Sequence, residues 1–474
     1  MRPYYTAVVS APADVIGSLD RGIEAALDDL VALARIPSVS ARGFDPAHVA
    51  RSAEATADLL AKSGFERAEV LALPGAHPYA VAEWLHAGPD APTLLFYAHH
   101  DVQPPGREAH WRTPPFEPTR RGDGRLYGRG VVDDKAGILL HLAAQRAWLA
   151  ATGALPVNVK WLVEGEEETG SEHLAEFLRA HRARLDCDVL VLSDTANLET
   201  GTPSLTTSLR GIVQVDVTVR ALDHPIHSGM WGGPVPDAAT ALASLCARLV
   251  DAHGAIAVPG VYDDAPELSA DERAALAALP FDAAAFRRDA GMAADAPFIG
   301  ERDRTVYERM WHRPSLALTA LEGMPLATAA NQLMAEARAR IGVRVAPGQD
   351  AARIAALVES FVLRDPPPGV RVETAVPAAV PGWKTRAEGP AFAAARRALR
   401  VGYGRDAVEI GCGGSIPFVG PFVEVLGGVP ALLLGLEDPP CNAHGENESL
   451  DLADFAKAAH SSAHLLAELR TFVR

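Results

Sequence analysis

The chain has 474 residues, 48% hydrophobic and 22% charged, with a formal net charge of -16. That length exceeds one ordinary core and predicts two or three domains of a soluble globular protein. The acid excess argues against a nucleic-acid partner, which needs concentrated Lys and Arg, and charged residues or His break every long apolar stretch, which argues against a membrane span.

The four cysteines, Cys187, Cys246, Cys412 and Cys441, form no CxxC pair and no disulfide framework. The stretch Val8-Val9-Ser10-Ala11-Pro12 is too short and broken for a signal-peptide core, so a cytoplasmic location is expected.

Residues 18–35 space Ile23, Leu27, Leu30, Val31 and Ala34 about three or four apart, an amphipathic helix that Ile36-Pro37 ends. A second helix is predicted over about 47–63, stopping at Gly64, and strand candidates follow at 68–73 and 79–85. The apolar run Thr93-Leu94-Leu95-Phe96, bounded by Pro92 and Gln103-Pro104, reads as a buried strand. It delivers His99 and Asp101 to its carboxyl end, the edge of an α/β sheet where ligands sit. On extended backbone these two side chains share a face, and a carboxylate can hold one imidazole proton while the other nitrogen aims at a metal.

A loop rich in Arg, Pro and Gly runs to about residue 130, and helical periodicity restarts over 133–148. The strand 158–163 leads directly into Glu164-Gly165-Glu166-Glu167-Glu168-Thr169-Gly170-Ser171, a helix is predicted over 173–180, and a third buried strand, 187–192, ends at Ser193-Asp194-Thr195. Three apolar strands, each followed by acidic or His residues, predict an α/β fold with a mostly parallel sheet and its site along one edge.

From about Gly211 the pattern changes to an alternating run, Ile212 to Val219, then helices at 236–252 and 271–281, a strand at 337–345, a helix at 349–363 and an extended stretch at 370–376. That order suits a small sheet with helices on one face, inserted between two halves of the first domain. The expected division is 1–211 and 379–474 for the first domain and 212–378 for the inserted α+β domain. The last part holds strands at 407–410 and 431–435, the Gly411-Cys412-Gly413-Gly414-Ser415 turn, His444, and a closing helix over 450–470.

His99, Asp133, Glu167, Glu168, Asp194 and His444 therefore stand after predicted strands. Mixed N and O donors suit zinc or cobalt and tolerate manganese, and a shared carboxylate can hold two metals about 3.5 to 4 Å apart. Plainer readings are open: Asp133 as a helix cap, Glu166 to Glu168 as a charged surface patch. Three adjacent carboxylates repel one another, however, and a nearby cation relieves that cost.

Nearly the whole chain resembles the M20 family of dinuclear zinc aminoacylases, carboxypeptidases and dipeptidases, its dipeptidase-like branch above all. The resemblance rests on Ile36-Pro37-Ser38, His99-His100-Asp101, Tyr127-Gly128-Arg129-Gly130 leading to Asp133-Asp134-Lys135, Glu164 to Ser171, Ser193-Asp194, His227-Ser228-Gly229, Gly413-Gly414-Ser415-Ile416-Pro417, and His444 with Asn447-Glu448. It implies a zinc-exopeptidase catalytic domain carrying a lid domain that also mediates dimerisation, so a homodimer is expected. It further implies two zinc ions per subunit: His99 and Asp194 on one, Glu168 and His444 on the other, Asp133 between them. Asp101 would orient His99, and Glu167 would be the general base for a metal-bridging water. His227 would stabilise the oxyanion in the partner subunit's site. Arg344 would bind a substrate carboxylate, with Asn331, Gly414 and Ser415 as further substrate contacts. On the residues alone His227 reads as a turn histidine and Arg344 as a surface strand residue in a salt bridge.

Three departures bear on substrate choice. Gly411-Cys412 stands where the branch often has Arg-Glu, Met334 where a Pro is usual, and His224-Pro225-Ile226 where Asp-Leu is simpler. The expected activity is metal-dependent hydrolysis of an amide bond in dipeptides or related substrates with a free carboxylate. The alternatives are an N-acyl-amino-acid deacylase and a non-catalytic peptide-binding protein on the same scaffold.

Overall fold

A computed structural model describes residues 9–414 and 419–472. The elements that position the site begin with helices α1 (Ala13–Ala34) and α2 (Pro46–Lys62), then strands β1 (Glu66–Leu71), β2 (Tyr79–Trp84), β3 (Thr93–His99), β4 (Thr119–Arg120) and β5 (Arg125–Tyr127). Helix α3 (Lys135–Thr152), β6 (Asn158–Glu164), helix α4 (Leu174–Ala180), β7 (Val189–Leu192) and β8 (Ser204–Leu209) follow. Next are β9 (Gly211–Arg220), β10 (Ile226–His227), β11 (Ser315–Glu322), β12 (Gln332–Leu333), β13 (Glu336–Val345), β14 (Arg371–Val380) and β15 (Trp383–Lys384). The chain ends with β16 (Val408–Cys412), β17 (Ala431–Leu434) and β18 (Ser449–Asp451), the last leading into the helix Leu452–Leu469.

The described residues divide into two compact units, one of residues 9–207, 386–410 and 419–472, the other of residues 208–385 and 411–414. In the first, β6, β3, β7 and β17 are neighbours in parallel, with antiparallel β2 and β1 on one flank and antiparallel β8 on the other. Strand β3 is buried on both faces, which is why its sequence is a continuous apolar run rather than an alternation. The register sets His99 opposite Glu164, so the chemistry-bearing ends of β3 and β6 lie level.

The helices follow from local signals. In α1, Val15, Leu19, Ala26, Leu27, Leu30 and Leu33 form the buried stripe. Helix α2 starts where the Asp45 carboxylate accepts the Ala47 N–H at 3.0 Å with Pro46 in the first turn. Helix α3 is apolar nearly all round because α1 and the closing helix both cover it.

The second unit is built on an antiparallel sheet in the order β11-β13-β9-β14. Val213, Val215, Val217 and Val219 of β9 and Ala337, Ala339, Ile341, Val343 and Val345 of β13 face helices Ala238–Ala247 and Ala351–Arg364. Each buried Val or Ile contributes about 1.5 to 3 kcal/mol. A slip of one residue would turn the whole set to water, so the register is strongly specified.

Several elements lie outside the sequence expectation. Strands β4 and β5 occupy a stretch read as loop, because β5 pairs with the distant β18 and is too short for a period. Strand β8 and the Ala-rich helix Pro390–Tyr403 were not foreseen, nor was β11, whose side chains are mostly exposed and show no buried alternation.

Candidate active site

The end of β3 is fixed by its neighbours: His100 N–H donates to Glu164 O at 2.8 Å, and Val102 N–H to Ser38 O at 3.0 Å. The imidazole of His99 is wholly buried, with Nδ1 3.1 Å from its near neighbour's backbone oxygen, Asp101 O. Its Nε2 faces Asp133 Oδ1 at 3.0 Å and Asp194 Oδ1 at 3.8 Å, yet makes no hydrogen bond. A buried imidazole nitrogen without a hydrogen bond, aimed between two carboxylates, has the arrangement of a metal ligand.

A second group shares Asp133. His444 Nε2 lies 3.0 Å from Asp133 Oδ2 and 3.2 Å from Glu168 Oε2. In each group, His99 with Asp133 and Asp194 or Asp133 with Glu168 and His444, the ligand atoms lie within 4.8 Å of one another. One His and one unshared acid per group, plus a common Asp, is a donor set that fits a pair of zinc ions.

Electrostatics supports the same conclusion. Burial works against the charged form of Asp133, but the His444 and His99 imidazoles outweigh it and hold its carboxyl below the usual range. Burial opposes charge on His99 as well, and Asp101, Asp133 and Asp194 overcome it. Asp133 and then Glu168 push His444 up to about 11. Burial, reinforced by Asp133, raises Glu168 to about 7. Carboxylates crowded like this are relieved by a cation.

The three adjacent acids after β6 have three different fates. Glu166 turns inward and accepts from Tyr79 Oη at 2.9 Å and from the His173 N–H at 2.9 Å. Glu168 accepts from Gln103, N–H at 3.0 Å and Nε2 at 2.8 Å, beside the second group. The Glu167 carboxyl is raised well above its ordinary range, first by burial and then by Asp194, Glu168 and Asp101, against the pull of His99. Asp101 holds the turn itself: its Oδ1 accepts the Glu167 N–H at 3.2 Å, and its Oδ2 accepts the Glu168 N–H at 3.1 Å and Ser40 Oγ at 2.6 Å. Its carboxylate stands 3.5 Å from His99 Nδ1, so it ties the turn to the histidine rather than serving the histidine alone.

Sequence reasoning passed over three groups around this cluster. Asp134 Oδ2 accepts the His99 N–H at 3.2 Å. Lys135, pushed down to about 7 by burial, donates Nζ to Leu33 O and Ile36 O at 3.1 Å and to Ser38 Oγ at 3.0 Å, closing the end of α1. Both follow Asp133 within two residues in sequence, which was the available signal. Glu437 is raised by burial and by Asp133 and Asp194; no spacing in the sequence pointed to it.

His227, Asn331, Arg344 and Gly414, singled out in the sequence, belong to the second unit. His227 ends β10 opposite Gln332, its Nδ1 accepting the Gly229 N–H at 3.1 Å, and Ser228 N–H donates to Asn331 O at 2.9 Å. Arg344 lies in β13 between Ile212 and Ser315, its guanidinium shifted down by burial. Gly414 N–H points to Cys412 Sγ at 3.3 Å, and Ser415 lies outside the described residues.

Comparison with known proteins agrees with this geometry. The model of Peptidase family M20/M25/M40 matches residues 95–468. A Cysteinylglycine-S-conjugate dipeptidase of Corynebacterium striatum is 34% identical over 379 residues, 80% of this chain and 81% of that protein. The solved structure of the di-peptidase Dug1p from Saccharomyces cerevisiae superposes with a TM-score of 0.85 at 26% identity, covering 97% of this chain and 99% of that one. Human carnosine dipeptidase 1 gives a TM-score of 0.85 at 26% identity, covering 98% and 100%. With two ligand groups joined at Asp133 and a family match spanning both, the chain belongs to Peptidase family M20/M25/M40, as a metallopeptidase of its dipeptidase-like branch.

Proposed function

We propose that this enzyme is a dizinc dipeptidase acting on small substrates with a free carboxylate, with His99, Asp133, Glu168, Asp194 and His444 as ligands and Glu167 as general base. The observation that carries the reading is the sharing of Asp133 by two ligand groups beside a carboxyl, Glu167, whose pKa is driven upward. A raised carboxyl pKa brings a base nearer the range where it can both take and return a proton at neutral pH.

Bound at these groups, the zinc pair would supply Lewis acidity toward the scissile carbonyl and the attacking water. Glu167 takes the proton from that water and returns it to the leaving amine. Asp101 keeps the Glu167-Glu168 turn at a fixed distance from His99 through its two backbone hydrogen bonds. Arg344 binds the substrate carboxylate with its guanidinium fork. Asn331, Gly414 and Ser415 complete the substrate contacts, and His227 donates to the carbonyl oxygen as negative charge develops there, reaching the other subunit's site of a homodimer.

A dimer through the second unit is supported by its apolar surface. Leu318 and Leu321 are exposed on edge strand β11, and Leu326, Met230 and Trp231 are exposed in the same unit. A cytoplasmic location is supported by Cys187, Cys246 and Cys441, which are free thiols. Among the described residues no helix is long and apolar enough to cross a membrane.

The test is a hydrolysis screen of a dipeptide panel against acylated amino acids, with zinc, cobalt or manganese added. Turnover of dipeptides above the acylated set supports the reading. Preference for the acylated set makes the enzyme a deacylase, and tight binding without turnover makes it a peptide-binding protein.

A further inference from the structure

Arg129 and Glu448 lie in motifs to which the proposed mechanism gives no task, and both are almost wholly buried, 1% and 0% exposed. They form an ion pair, Arg129 Nη1 to Glu448 Oε2 at 2.7 Å. Each also reaches the backbone of a proposed ligand. Arg129 Nη2 donates to His444 O at 3.0 Å, Gly445 O at 3.1 Å and Pro104 O at 3.1 Å. Glu448 Oε1 accepts the N–H groups of Val132 at 3.1 Å and Asp133 at 3.3 Å, and its Oε2 accepts Gly130 N–H at 2.9 Å.

The ion pair therefore bridges the main chain of Asp133 to the main chain of His444, the two residues whose side chains meet at 3.0 Å. The loop that carries His444 needs such a hold. Asn442, His444 and Asn447 have φ of 53°, 64° and 64°, a region uncommon for L side chains though Asn and His enter it more readily than most, so the loop's shape gains from contacts that hold it. The fork geometry of a guanidinium allows one arm on the carboxylate and the other on carbonyls, which a compact ammonium cannot reproduce.

We infer that Arg129 and Glu448 are a positioning pair that sets the gap between Asp133 and His444, and thereby the tightness with which the Asp133, Glu168 and His444 group holds its metal. The inference rests on the two-metal reading of the site. Groups standing behind metal ligands typically change metal affinity by about 10- to 100-fold when altered.

The experiment releases zinc stepwise from full-length wild type and Arg129→Lys to a chelating chromophore and fits two dissociation constants. The expected result is one constant weakened about 10- to 100-fold and the other essentially unchanged, with the circular dichroism spectrum preserved. In a His444→Ala background, Arg129→Lys then adds no further weakening, because the imidazole whose position it sets is gone. If Arg129→Lys does not fold, Glu448→Gln replaces it, retaining the shape and one acceptor oxygen while removing the charge. Equal weakening of both constants, or unchanged constants with a lower melting temperature, would overturn the inference and leave the pair merely structural. A wild-type protein that binds no pair of zinc ions would instead sink the two-metal reading itself.

Discussion

Oδ1 of Asp133 lies 3.0 Å from Nε2 of His99, an imidazole nitrogen that is buried and has no hydrogen bond. Because the other oxygen of Asp133 faces His444, this carboxylate is the one acid common to both ligand groups. Asp133→Ala is therefore expected to lose both metals, while Asp194→Ala loses chiefly the metal shared with His99. Elemental analysis of the purified variants checks this; a full pair of metals retained by Asp133→Ala would remove it from the bridging position.

Glu167 and Glu168 are adjacent, but only Glu168 stands 3.2 Å from His444. Glu167→Ala should keep its metal and lose about 10²- to 10⁴-fold in kcat, the usual contribution of a positioned acid-base group. Glu168→Ala should lose metal as well as turnover. Metal content measured beside kcat distinguishes the two roles, and loss of both ions from Glu167→Ala would reverse their assignment.

Asp101 accepts hydrogen bonds from the backbones of both glutamates. Asp101→Asn keeps the shape but presents an N–H₂ where an oxygen now accepts, so one of those contacts is lost in a buried site. The expected effect is a fall in kcat of about tenfold or more, equivalent to about 1.4 kcal/mol, with metal content closer to normal than in Glu168→Ala. An unchanged kcat would show that the turn is held in place without it.

The catalytic sheet was legible in sequence because its central strands are buried on both faces and end abruptly in His or acid, as at Phe96 to His99 and Leu192 to Asp194. Individual roles were less legible. Glu166, Glu167 and Glu168 are chemically alike as letters, and only packing separates the one bonded to Tyr79 from the one beside His444. Glu437 and the carbonyls gathered by Arg129 depend on long-range closure that no local period encodes. Strand β5 was missed for the same reason, its partner β18 lying at the far end of the chain.

Arg344 is half-buried in β13, and burial already opposes its charge. Arg344→Ala is expected to raise KM for substrates with a free carboxylate far more than for their amides, because only the former offer two oxygens to the guanidinium. Steady-state kinetics on a matched acid and amide pair checks this. Equal changes in KM would deny Arg344 the carboxylate.

His141 gives a pH dependence separate from the ligands. It lies within α3, Nδ1 2.8 Å from Ser462 Oγ and Nε2 3.0 Å from Ser193 Oγ, and burial pushes its pKa down to about 3. In the unfolded chain the same imidazole titrates near its ordinary value of about 6.5. Above that pH both states are neutral and the group adds no slope. As pH falls toward about 3, the unfolded chain takes up a proton that the folded protein refuses, so stability declines by at most about 1.4 kcal/mol per pH unit from this residue. His141→Gln removes the titration, and its stability should fall less steeply than wild type between pH 6.5 and pH 4.5, roughly the acid side of the ordinary histidine range. Urea unfolding of both proteins with a chelator present keeps metal release out of the comparison, and parallel pH profiles would show that His141 is not the buried neutral group the packing describes.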